Sequence, residues 1–131
     1  MPRILTVRPV VLLGVGLLLA AAAVFVLARG PHADAAGTAR AVHLSASPAK
    51  LAFNKKTLTV RHGKITFIMA NPSSLPHGIA VEGHGIDKDG KVVATGRTSR
   101  VTVTLRKGTY EFFCPVPAHK AAGMRGKIIV T

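Results

Sequence analysis

Residues 108–127 read GTYEFFCPVPAHKAAGMRGK, and this stretch decides both the fold and the chemistry. Tyr110, Phe112 and Cys114 alternate with Thr109, Glu111 and Phe113, so an extended chain puts the first three on one face. Pro115 and Pro117 stiffen the turn that follows. Gly123 and Gly126 flank Met124 and let the backbone pass closely into a last β-branched run, Gly126–Thr131. The reading is strand, stiffened loop, strand. Cys114, His119 and Met124 lie along the loop with the spacing C-x4-H-x4-M.

The period-2 pattern continues outward from there. Ile65, Phe67 and Met69 share one face of Lys64–Ala70. Leu58 and Val60 alternate with threonines in Thr57–Val60, as do Val101, Val103 and Leu105 in Val101–Leu105. Ala41–Ser45, His77–Val81 and Lys91–Ala94 are shorter candidates. Gly, Pro, Asn and Asp punctuate the gaps at 61–63, 71–74, 87–90 and 106–108. A single helical turn is expected around Ala118–Ala122. Seven or eight short strands predict an all-β fold, an antiparallel Greek-key sandwich or barrel, over residues 41–131.

The N-terminal third is different in kind. Pro9 to Ala28 is a run of 20 residues without a charge, predicting one hydrophobic helix long enough to cross a bilayer. Arg3 and Arg8 precede it, as suits a cytoplasmic N-terminus. Residues 1–28 are read as either a transmembrane anchor or a signal peptide, the latter with Ala33-Asp34-Ala35 as its cleavage site. Residues 29–40, RGPHADAAGTAR, have the composition of a linker. On either reading the domain is expected outside the cytoplasm, at the cell surface or in the periplasm.

Composition narrows the function. Of 18 Lys+Arg and 5 Asp+Glu in the 131 residues, 15 and 4 lie in residues 36–131, leaving that part at +11. One Cys excludes an intramolecular disulfide and any site needing two thiolates. A domain of this size has no room for a nucleotide-binding half beside a substrate half. Its location and its lack of an aromatic stacking platform argue against nucleic acid.

What remains is a metal constellation. His77 precedes Cys114 by 37 positions, within Leu75-Pro76-His77-Gly78 at a predicted strand end. One thiolate, two imidazoles and one thioether form a soft nitrogen–sulfur set. It suits copper held by two His and one Cys in a plane with a weak axial Met. Taken singly, each residue has an ordinary reading, since a lone Cys or Met is usually core filling. The combination at these spacings is what carries the reading. His32, His43, His62 and His84 lack such context and are read as surface residues, with His43 and His84 the ones considered for metal loading.

These features resemble the cupredoxins, the plastocyanin/azurin superfamily of small blue copper proteins. The resemblance rests on Asn71-x5-His77, Gly108-x-Tyr110-x-Phe112-x-Cys114 and the ending C-x4-H-x3-Gly-Met-x-Gly. The ligand loop looks most like the sulfocyanin-like members. The resemblance implies His77, Cys114, His119 and Met124 as ligands of one type 1 copper, each imidazole binding through Nδ1. Many members carry Asn or Ser directly after the first His, where this chain has Gly78. That side-chain tie is lost, which leaves the backbone N–H groups of Gly78 and Val116 to reach the thiolate.

The implied function is a one-electron carrier cycling Cu(II)/Cu(I), with copper storage or delivery as the alternative. An enzyme is not expected: a copper oxidase or reductase needs further metal centres, and no His-x-His pair is present. The exposed edge of His119, collared by Val116, Pro117, Ala118, Ala121 and Ala122, would be the electron port. The expected partner is a cytochrome or an oxidase-like redox protein with an acidic surface. Anionic lipid headgroups are a second candidate for the basic surface. A monomer is expected.

Overall fold

The structure, a computed structural model, describes residues 38–131. The apolar run 9–28, the helix expected of it and most of the linker 29–40 lie outside the described residues.

Eight strands follow in order: β1 Arg40–Ser45, β2 Thr57–Val60, β3 Gly63–Ala70, β4 Ala80–Gly83, β5 Ile86–Asp89, β6 Thr98–Leu105, β7 Gly108–Phe113 and β8 Arg125–Val130. They form two sheets, β1-β3-β6 and β2-β8-β7-β4-β5. Alternation decides which side chains meet between them. Ile65, Phe67 and Met69 of β3 turn inward beside Val101, Val103 and Leu105 of β6. From the other sheet come Tyr110 and Phe112 of β7, Ile128 and Val130 of β8, Leu58 of β2 and Val81 of β4. All belong to one buried cluster, and burying each large side chain stabilises the fold by about 1.5–3 kcal/mol. Tyr110 also closes a corner. Its hydroxyl donates to the Arg106 carbonyl and accepts from the Arg106 N–H, both at 3.2 Å.

The all-β sandwich matches the sequence reading, and three details differ. The strands are not all antiparallel: β1 pairs with β3, and β2 with β8, in parallel. The chain leaves the first sheet after β1, places β2 in the second and returns as β3, a crossover instead of a hairpin. His77–Val81 and Lys91–Ala94 are not strands in full. β4 begins only at Ala80, and His77 meets Val93 in an isolated bridge. Between them Ser99 replaces the ladder: its hydroxyl accepts from the Ile79 N–H at 3.2 Å and donates to the Lys91 carbonyl at 2.6 Å. Conversely, Asp87–Gly90 reads from sequence as turn punctuation, whereas Ile86–Asp89 is a strand. It lies at a sheet edge, paired only with β4 and largely exposed, so it needs no apolar alternation.

Candidate metal centre

Strand β7 delivers Cys114 one residue past its end, with the side chain 1% exposed. The chain then loops and returns. The Cys114 N–H donates to the Met124 carbonyl at 3.0 Å, and the Met124 N–H donates to the His119 carbonyl at 2.9 Å. The loop is thus cross-tied at the three positions the motif singles out. Within it, Val116–Gly123 forms successive turns, and an Ala122 N–H to Ala118 carbonyl bond of 2.9 Å closes a single i→i+4 turn over the stretch where one helical turn is expected. Ala118 adopts φ 69°, a left-handed conformation costing an alanine about 1 kcal/mol. Met124 is fully buried in the same cluster as Cys114.

His77 arrives on the loop between β3 and β4. Asn71, itself buried, organises that loop. Its amide Nδ2 donates to the carbonyls of Leu75 and Val93, each at 2.9 Å, and its Oδ1 accepts from the Ser73 N–H at 3.1 Å. The Ser73 hydroxyl accepts from the Leu75 N–H at 3.1 Å and lies 3.2 Å from His77 Nε2. The sequence reading named Asn71 but not Ser73, whose only signal was a hydroxyl four residues before the histidine.

Three donor atoms converge. Cys114 Sγ lies 3.8 Å from His77 Nδ1 and 3.6 Å from His119 Nδ1, with the two rings 5.0 Å apart. All three lie within 4.8 Å of one another, and this is the metal-type cluster found among the described residues. A divalent first-row ion about 2.0 Å from nitrogen and 2.3 Å from sulfur, with a trigonal angle between them, requires a sulfur–nitrogen separation of about 3.7 Å. The spacing fits such an ion. A fourth group points at the sulfur: the Gly78 N–H donates to Sγ at 3.5 Å. The Val116 N–H, the other donor expected from sequence, does not. A Cβ at position 78 would sit 3.2 Å from the Pro115 ring and 3.3 Å from the Lys91 carbonyl oxygen, so a side chain there would press on both.

Burial, and then the nearby His119, hold the His77 pKa below the usual histidine value, so its ring stays neutral at neutral pH and keeps a lone pair for a metal. Beside the loop, Lys120 Nζ pairs with Glu82 and with Glu111 at 3.0 Å, and lies 4.1 Å from the Phe113 ring centre. Lys120 lowers the Glu82 pKa. These groups are about one-third exposed, so such a brace contributes at most about 1 kcal/mol.

His119 is half-buried, and Pro117, Ala118, Ala121 and Ala122 around it are exposed. Val116, expected in this collar, instead packs partly against the core. Leu75, absent from the sequence reading of the collar, is 48% exposed on the loop that carries His77. His43, His62 and His84 are exposed and outside the cluster, and His32 lies outside the described residues.

The family of copper binding proteins, plastocyanin/azurin family, matches residues 40–131. This chain belongs to that family, and copper is the metal that its nitrogen–sulfur set suits. It is similar to the copper-resistant cuproprotein CopI of Rubrivivax gelatinosus, with 29% identity over 120 residues, covering 77% of this chain and 72% of the relative. Among solved structures it resembles dithionite-reduced auracyanin from the photosynthetic bacterium Roseiflexus castenholzii. There the identity is 26% and the TM-score 0.64, covering 72% of this chain and 99% of that one. A copper nitrite reductase from Nitrosomonas europaea shares the fold at 24% identity and TM-score 0.57. The match covers 71% of this chain but only 41% of the reductase.

Proposed function

We propose that this chain is a mononuclear type 1 copper protein that carries single electrons outside the cytoplasm, with His77, Cys114, His119 and Met124 as its ligands. The observation behind this is the convergence of Cys114 Sγ with two imidazole Nδ1 atoms at 3.6 and 3.8 Å. Copper bound there supplies a one-electron Cu(II)/Cu(I) couple.

The chain's own residues supply the rest. The Cys114 thiolate gives the soft donor, and the Gly78 N–H aimed at it withdraws charge from the sulfur. His77, Cys114 and Met124 are at most 1% exposed, which keeps water from those donors. Ties from Cys114 to Met124 and from Met124 to His119 hold the loop in one arrangement, so its donors move little as charge changes. His119 alone of the four reaches the surface, and the apolar rim around it suits brief contact with a partner. The basic surface favours a partner with acidic groups. The chain has one thiol, and it lies in the one such donor cluster among the described residues.

A second reading, copper storage or delivery, draws support from the likeness to a protein named for copper resistance. Stopped-flow mixing with a small soluble cytochrome separates the two. A carrier exchanges electrons on the millisecond-to-second scale and retains its copper afterwards. A delivery protein surrenders Cu(I) to a chelating acceptor and exchanges electrons slowly.

A further inference from the structure

His77 is the only buried histidine among the described residues, and both its nitrogens have a neighbour. Nδ1 faces Cys114 Sγ. Nε2 faces the Ser73 hydroxyl at 3.2 Å, and no backbone carbonyl takes its place. The residue that carries this hydroxyl is held at three points. The Ser73 N–H is bound by Asn71 Oδ1 at 3.1 Å, and its carbonyl accepts from the Thr95 hydroxyl at 2.7 Å. Ser73 Oγ accepts from the Leu75 N–H at 3.1 Å. That bond uses one lone pair and leaves the other for Nε2. The side chain is 5% exposed, so bulk water competes little for the contact.

We propose that Ser73 is the positioning residue that fixes the tautomer and orientation of His77, its hydroxyl accepting the Nε2–H so that Nδ1 presents its lone pair to the metal. The proposal rests on the reading of His77 as a ligand, but it makes a claim about the metal-free protein as well. A buried imidazole without this acceptor has a choice of tautomers, and the one protonated at Nδ1 cannot bind metal there. Thr95 and Asn71 then act one step further out, by setting where the hydroxyl stands. The general rule that the second nitrogen of a ligating histidine is bonded to a fixed acceptor is met here by a side chain.

The test compares the full-length chain with Ser73→Ala and Ser73→Thr. Nitrogen-15 NMR of the metal-free protein reads the tautomer directly. The expected result is a protected Nε2–H on His77 in the unmodified chain, lost in Ser73→Ala and kept in Ser73→Thr. Titration with Cu(II) against a competing chelator should show Ser73→Ala weaker by about 10–100-fold, with Ser73→Thr restoring most of that. An Nδ1–H tautomer in the unmodified chain would overturn the proposal even if neither variant folds. So would equal affinity losses in the Ala and Thr variants, which would mark Ser73 as packing only. Should the chain bind no copper at all, the ligand reading fails while the tautomer result still decides the role of Ser73.

Discussion

Cys114→Ala is expected to remove the intense visible absorption of the copper-loaded chain completely and to weaken copper binding by more than about a hundredfold. The band belongs to charge transfer from thiolate to copper, and Cys114 is the chain's one source of thiolate. Loss of an outer hydrogen-bond partner already costs a metal site about 10–100-fold, so loss of the sulfur donor costs more. The fold should survive. Cys114 is a small buried residue at a strand end, and deleting one sulfur atom costs about 1 kcal/mol, comparable to a buried methylene. Absorption spectra with added Cu(II), alongside far-UV circular dichroism, check both halves: colour lost, strands retained.

Gly126→Ala carries the largest expected effect on stability. Gly126 stands opposite Phe112 in the β7–β8 register. A Cβ there would run into the Phe112 ring and stand 2.6 Å from the Lys56 carbonyl oxygen. The ring is fully buried and cannot swing away. The Lys56 carbonyl is equally fixed, since it accepts from the Lys127 N–H at 2.9 Å. Backbone or ring must shift, and overpacking of this kind costs about 3 kcal/mol. Denaturant unfolding should show that loss. The disturbance would also reach Met124, two residues back, so copper retention should fall in parallel.

Much of this arrangement could be read before any coordinates. β7 is visible because Tyr110, Phe112 and Cys114 bury one face while Glu111 stays partly open, the condition under which alternation marks a strand. The four ligand candidates could be read because copper's preference for nitrogen and sulfur restricts residue types as strongly as spacing does. β5 could not be read, because an exposed edge strand places no apolar demand on Ile86–Asp89. The parallel pairs were hidden as well, since alternation gives the face of a strand but not its neighbour or direction. Ser73 escaped for a third reason. Its role depends on a loop shape set by Asn71, Thr95 and Leu75 together, and no local pattern announces it.

The proposed function stands on Cys114, His77 and His119 holding one copper ion in a thiolate-bound site. Electron paramagnetic resonance of the full chain after one equivalent of Cu(II), with the visible spectrum of the same sample, tests it most directly. The expected result is one bound copper per chain, an intense visible band and a narrow copper hyperfine splitting. A colourless sample, or a wide splitting that Cys114→Ala leaves unchanged, would contradict it.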